Sequence, residues 1–491
     1  MKLVLALDAG TTGVRTVAFD DHARAVDTSY RELTQHFPRP GEVEHDADEI
    51  ADLAVTTLRE VAQRSLAAGH EVVSIGITNQ RETTVAFDRD SGRLPHRAIV
   101  WQDRRSAVAC GALRDAGHGD LVRSTTGLVL DAYFSATKMR WFLDHGDMDT
   151  LVAPSFATID SWLLWRLSGG VDNGVFATEP SNASRTMLMD LATREWSPAM
   201  LTLFDVDRSM LATVRPSAGR FATVHPLVVP ELAGVGITGV LGDQQSALFG
   251  QACFEPGVVK ATYGTGAFIL ANVGATSPGV FDGLVTSIAW DLGERGSVTY
   301  CVEGSAFVAG AAVQWLRDEM GFISKSSELE TLALSANDSA GVQFVPAFTG
   351  LGSPFWRSDA RGSLTGLSRG VGPAQIARAL VEALAYQVRA MTEAFARGGI
   401  SLRELRCDGG AAAMDLLMQL QATNSRLPVS RSTSLEATAR GAAMIAGLEV
   451  GMWSSLEELA DLWEFDQRFE PDEPTFVDLG YQAWLRALAH A

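Results

Sequence analysis

Apolar and polar positions alternate along this chain in blocks that predict strands and helices in turn. "KLVLALD" and "VRTVAFD" are short apolar runs, and between them "AGTTG" is turn chemistry, so the segment reads as strand, tight glycine turn, strand. In "HDADEIADLAVTTLREVAQRSLAAG" the spacing of Ile50, Leu53, Leu58 and Val61 predicts an amphipathic helix over 46–69. Asp46 or Asp48 is its N-cap and Gly69 its C-cap. A second helix is predicted over 373–397, with Ile376, Leu380, Leu384, Val388, Met391 and Phe395 on one stripe and Gly398 to stop it. "VVSIGIT" and "TTVAFD" read as buried strands, yet Asn79, Gln80, Arg81 and Glu82 stand between them. Alternating strands and helices imply α/β layers.

The 491 residues can bury a large core and suggest roughly two to four domains. Hydrophobic residues make up 46% and charged residues 20%, an ordinary globular balance. The formal net charge of −19 comes without a basic block, which argues against a nucleic-acid backbone or an anionic membrane as partner. Lysines occur only at Lys2, Lys138, Lys260 and Lys325, and no GxxxxGK[ST] is present. A nucleotide site here must therefore hold phosphate with arginine, hydroxyls and backbone amides. Cys110, Cys253, Cys301 and Cys407 are far apart, which fits a reducing cytosol rather than a disulfide framework or a zinc site. Asp8 interrupts the apolar N-terminal run, so a signal peptide is not expected, nor is a membrane span. The expected location is cytoplasmic.

Chemistry concentrates in the glycine loops. In "LALDAGTTGVRTVAFD" an acid ends a buried strand and Gly10, Thr11, Thr12 and Gly13 can form an anion nest with Arg15 just beyond. Asp8 would be costly to bury unpaired and is expected to face a hydrated divalent cation. "TYGTGAF" echoes the first loop about half a chain later, suggesting two similar domains facing one cleft. In "ELRCDGG" a strand is expected to open into a helix at Gly409 and Gly410, where a ligand can approach closely. In "GVLGDQQSALFGQ", Asp243 reads either as a helix N-cap or as a general base at a cleft wall.

These segments, with "NQRET" (79–83), "AIVWQDRR" (98–105), "GLVLDAYFSATKMRW" (127–141), "EPSNASRTM" (179–187), "EGSAFVAGAAVQWLRD" (303–318), "PAFTGLGSPFW" (346–356) and "DGGAAA" (408–413), resemble the FGGY family of carbohydrate kinases over nearly the whole chain. Within that family the resemblance is to the members that phosphorylate glycerol. It implies two actin-like (ribonuclease H-like) α/β ATPase domains around a central cleft. The expected division is 1–250, with the polyol site and a phosphate loop, and 251–491, with the nucleotide site. It implies ATP and Mg²⁺ as cofactors, glycerol as acceptor, ADP and sn-glycerol 3-phosphate as products, and a homo-oligomer, dimer or tetramer.

By the same resemblance Arg81, Glu82, Trp101, Tyr133, Asp243, Gln244 and Phe268 contact the polyol, with Asp243 as general base. Thr11, Thr12, Gly13, Arg15, Thr265, Gly310, Gln314, Gly410 and Met414 contact the nucleotide, and Asp8 and Asp243 the magnesium. Arg81 and Glu82 are expected to neutralise one another while binding hydroxyls, with Trp101 and Phe268 over the carbons. Position 13 departs from the family, which usually carries a small hydroxyl residue there, so one phosphate-loop donor is missing. Position 414 departs as well, Met standing for the usual Asn. "ELAGVGITGVLGDQQ" is shorter than its counterpart in relatives inhibited by fructose 1,6-bisphosphate, so that control is expected to be absent. The rival readings are a kinase of this family for erythritol, threitol or xylulose, and an actin-like ATPase with no small-molecule substrate.

Overall fold

A computed structural model describes residues 1–491 apart from Ser358, Leu435 and Pro474. The first apolar run forms strand Lys2–Ala9, buried everywhere but at Lys2. It turns at Gly10, whose N–H donates to Gly13 O at 3.0 Å, and returns as strand Gly13–Phe19. Lys2–Ala9 also pairs in parallel with strand Glu71–Asn79. With both faces covered, such strands read as continuous apolar runs rather than alternating ones. The first sheet has six strands in the order Ala218–Thr223, Gly236–Gly242, Glu71–Asn79, Lys2–Ala9, Gly13–Phe19, Ala25–Glu32.

The second half repeats this plan. Strand Val258–Tyr263 pairs antiparallel with Ala267–Gly274 across the "GTG" loop and in parallel with Glu404–Asp408. Its seven-stranded sheet runs Val285–Asp291, Val298–Ala306, Ala267–Gly274, Val258–Tyr263, Glu404–Asp408, Val429–Ser432, Phe465–Phe469. The echo between the two glycine loops is therefore architectural. Each loop turns the central hairpin of its own sheet.

The predicted helices form where their patterns place them, except that the first ends at Ala67 with Ala68, not Gly69, as its C-cap. Helix Ala47–Ala67 is capped by Asp46, which accepts from the backbone N–H of Asp48 and Glu49, and its apolar stripe enters the first core. Helix Pro373–Arg397 begins with proline, whose missing N–H costs nothing there, and packs Leu380, Leu384, Val388, Met391 and Phe395 into the second core. Helix Thr475–Ala489 adds Trp484 and Leu488 to the same core.

Two expectations need correction. The chain does not enter a helix at Gly409–Gly410. A 3₁₀ turn, Gly410–Ala413, intervenes, Met414 is extended, and the α-helix starts only at Asp415. Gly410, Ala411 and Ala413 of that turn and the N-cap Met414, but not Asp415, line the cavity described below. Asp243 is likewise not an N-cap: Gly242 holds that position and Asp243 is the first residue of helix Asp243–Gly250.

The two halves are stitched by that helix and helix Ala437–Glu449. The latter follows a strand of the second sheet yet lies on the first, with Ala439, Ala442, Ala443 and Ala446 against Val4, Ala6, Val17 and Phe19. Where the helices cross, a Cβ on Gly441 would sit 1.8 Å from Ser246 O, and one on Gly250 2.0 Å from Ala437 O. Only glycine permits that approach.

Candidate active site

The "NQRE" junction is wholly interior, with Arg81 and Glu82 each 2% exposed. Glu82 adopts a left-handed φ of 62°, a strained conformation for a residue with a side chain. The strain re-aims the chain between strands Glu71–Asn79 and Thr84–Asp88 and turns the glutamate into a cavity. That cavity, about 170 Å³, is lined by Thr11, Arg81, Glu82, Trp101, Tyr133, Asp243, Gln244 and Phe268, with the loop Gly264–Gly266 at its rim. Trp101 meets Tyr133 and Phe268 edge to face, at 5.6 and 6.4 Å between centroids, giving an aromatic wall whose Tyr133 ring also packs under Arg185.

Arg81 and Glu82 are 3.8 Å apart but do not chiefly neutralise each other. Arg81 donates to both carboxylate oxygens of Glu303, at 2.6 and 3.2 Å, and to Gln245 Oε1 at 3.1 Å. Glu82 Oε1 accepts from Arg185 Nε at 2.5 Å, and Arg185 also reaches Glu303 at 3.2 Å. The balance is thus a square of two arginines and two glutamates, because two adjacent residues on a strand junction cannot face each other as well as cross-chain partners can. Burial opposes the charge on Glu303, but Arg185 and Arg81 outweigh it and hold the carboxyl down at about 2. For Glu82 burial prevails over Arg185 and Arg81, and its pKa is raised. Arg185 anchors one oxygen of Glu82; Oε2 has no protein donor among the described residues and is left for a ligand.

Arg185 and Glu303 were assigned no role from sequence. Their partners lie 103 and 222 positions away, so no local spacing reveals them. The available signal was a lone acid inside the apolar strand "VTYCVEGSA". Lys260, fully buried on strand Val258–Tyr263, was also missed as a site residue; its ammonium donates to Gln244 Oε1. Burial brings it down to about 8, against the pull of Asp408 and Asp243.

Asp243 Oδ1 accepts from Gln244 N at 2.7 Å and lies 3.1 Å from Arg81 Nε, an ion pair off the hydrogen-bond line. Burial raises its pKa while Arg81 and Lys260 pull it back. A raised pKa makes this carboxylate a stronger proton acceptor than a free aspartate.

A larger cavity of about 420 Å³ adjoins through the shared Gly264 and Thr265. Gly310, Gln314, Gly410 and Met414 line it as expected, together with Ser326, Ser327 and Glu330, which sequence reading did not single out. Thr11, expected at the nucleotide, lines the smaller cavity and accepts from Trp101 Nε1 at 2.9 Å. Thr12, Gly13 and Arg15 line neither cavity. Arg15 instead clamps Asp8 Oδ2 through Nε and a terminal nitrogen, both at 2.8 Å, and pairs with Glu436. The burial of Asp8 is accordingly compensated by Arg15, and no cation is needed to explain it.

Two cavities meeting at a glycine loop, one large with a glycine-rich wall and one small with paired charges beside a basic carboxylate, suit group transfer between two ligands. Residues 3–250 match the FGGY family of carbohydrate kinases, N-terminal domain, and residues 259–450 match its C-terminal domain. The chain is 49% identical to the glycerol kinase of Aromatoleum aromaticum over 476 residues, 96% of this chain and 95% of that one. It is 47% identical to the glycerol kinase of Stenotrophomonas maltophilia over 494 residues, 99% and 98% of the two chains. Its fold superposes with a TM-score of 0.92 on the crystal structure of Plasmodium falciparum glycerol kinase with ADP, at 32% identity, covering 100% of this chain and 98% of that one. The chain belongs to the FGGY family of carbohydrate kinases.

Proposed function

We propose that this protein is an ATP:glycerol phosphotransferase that makes sn-glycerol 3-phosphate. The observation that carries the reading is the small cavity, in which Glu82 Oε2 and Asp243 face a wall of Trp101, Tyr133 and Phe268 beside a larger cavity. A triol presents hydroxyls on a short carbon spine. Glu82 accepts from its hydroxyls, Arg81 donates to one, and the aromatic rings cover the carbons. Hydrogen bonds to charged groups contribute roughly 1.5–3 kcal/mol each. Near-full-length similarity to glycerol kinases from two bacteria supports the same substrate.

Asp243 takes the proton of the terminal hydroxyl as that oxygen forms a bond to the γ-phosphorus of ATP and the bond from phosphorus to the β-phosphate oxygen breaks, releasing ADP. Burial raises the Asp243 pKa, which favours proton uptake, and Arg81 and Lys260 limit that rise. The adenosine end is assigned to the cavity of Gly310, Gln314, Gly410 and Met414, and the transferring phosphate to the Gly264–Gly266 loop, which lines the small cavity together with Thr11. Closure of the two lobes excludes water, the competing acceptor.

The residues present fit a magnesium ion. Asp8 Oδ1 has no protein donor among the described residues, Asp243 takes its hydrogen bonds from Gln244, and no group of three or more His, Cys, Asp or Glu there could hold a metal directly. That suits Mg²⁺, which keeps its waters and takes one or two carboxylates plus phosphate oxygens. When bound it supplies neutralisation of phosphate charge. Four free, buried cysteines accord with a cytoplasmic site of action.

The test is ADP release with glycerol, erythritol, threitol and D-xylulose in parallel, with and without acceptor. Glycerol should give the highest kcat/KM and turnover should depend on it. A better rate on another acceptor would reassign the substrate, and acceptor-independent turnover would return the chain to the actin-like ATPases.

A further inference from the structure

Residues in register on neighbouring strands put their side chains on the same face of a sheet. Asp8 pairs with Arg15, and Arg15 with Tyr30 on strand Ala25–Glu32, so the three form one row across the first sheet. Their neighbours on that face, Val4, Ala6, Val17 and Phe19, are covered by helix Ala437–Glu449. Glu436, immediately before that helix, pairs with Arg15, so the row lies just past the helix end. Tyr30 is 47% exposed and points across the turn after Asp8. A Cβ on Gly13 would meet its hydroxyl and its Cε2 at 2.4 Å. The phenol occupies the space a side chain at position 13 would need. Its hydroxyl donates to Thr12 O at a long 3.3 Å, and that carbonyl already accepts from Leu33 N at 3.0 Å. The phenolic proton can therefore be re-aimed without stranding a buried group.

We propose that Tyr30 is a nucleotide-binding residue whose hydroxyl contacts the terminal phosphates of ATP, standing in for the side chain that Gly13 lacks. This rests on the phosphotransfer reading above. The turn's own N–H groups are partly spent, since Gly10 N–H goes to Gly13 O, and Arg15 is committed to Asp8 and Glu436. A hydroxyl held only by the long bond to Thr12 O can turn to an incoming phosphate beside that row. Tyr30 and Gly13 form a matched pair: the ring demands glycine beneath it, and glycine leaves the ring as the hydroxyl source.

Calorimetry with Mg²⁺ and a non-hydrolysable ATP analogue, ADP and adenosine tests this on the intact chain. Tyr30→Phe keeps the ring over Gly13 and removes only the hydroxyl. It should weaken the ATP analogue roughly three- to tenfold, leave adenosine unchanged and leave KM for glycerol unchanged. Tyr30→Ala should lose at least as much, and Tyr30→Ala combined with Gly13→Ser should recover most of it by returning a hydroxyl to the turn. Unchanged affinity in Tyr30→Phe overturns the proposal, and so does an equal loss for adenosine, which would mark a structural role. Wild-type protein that binds the analogue but fails to phosphorylate glycerol would defeat the function reading alone, with the Tyr30 comparison still decisive.

Discussion

The two central hairpins share a topology but not a chemistry. In the first, the turn is flanked by the register pair Asp8 and Arg15, and the neighbouring parallel strand leads into Arg81 and Glu82. In the second, the corresponding pair is Thr262 and Phe268, and the turn is Gly264, Thr265 and Gly266. The first turn is flanked by charge and the second by neutral side chains, although Glu303 and Lys260 bring charge to the site from the second sheet. Charge supplied by side chains can be balanced residue by residue, as the square around Arg81 shows. Shape supplied by backbone leaves a wall on which Glu330 is the one charged side chain, so the charge of a triphosphate must be met elsewhere in the cleft.

The division predicts an order of effects. Asp243→Asn removes the proton acceptor and should lower kcat by roughly 10²–10⁴ with modest change in KM; wild-type-like turnover would remove it as the base. Glu303→Gln leaves two arginines short of one negative charge in the interior and should cost about 3–5 kcal/mol of stability by denaturant unfolding. Its pH dependence is a second readout. The folded Glu303 carboxyl, at about 2, lies below its ordinary 4.5, so its contribution to stability is present above 4.5 and lost as pH falls toward 2. The Gln variant should show a flatter acid limb in Tm; an identical limb would mean the square does not hold that charge.

Arg81→Ala should raise KM for glycerol about ten- to a hundredfold and exceed any effect on KM for ATP. An unchanged glycerol KM would leave Arg81 a purely structural role. Met414→Asn, on the wall of the larger cavity, should shift KM for ATP by less than about tenfold, measured with saturating glycerol. A larger effect than that of Arg81→Ala on glycerol would break the contrast between the two cavities.

Much of this was legible in sequence because its causes are local. Asp46 caps its helix with the next two amides, Pro373 and Gly398 bracket theirs, and the glycine turns sit between apolar runs that could only be strands. The small cavity was legible through resemblance in so far as Arg81, Glu82 and Trp101, expected beside Asp243, line one cavity with it. What balances Arg81 and Glu82 was not, because Arg185 lies 103 positions from Glu82 and Glu303 comes from the second sheet, 222 positions from Arg81. The commitment of Asp8 to Arg15 is a different case. It is written in strand register, and a hairpin with a known turn would have given it.

The helix Ala437–Glu449 that lies on the opposite lobe's sheet has a consequence for biosynthesis. As the chain leaves the ribosome, the first sheet can complete its strands once residue 242 has emerged, but Val4, Ala6, Val17 and Phe19 must wait for alanines made some two hundred residues later. Until then the nascent protein carries an uncovered apolar face, so the first half released alone should aggregate or recruit chaperones. Adding the C-terminal half as a separate polypeptide should rescue it only if the two are made together.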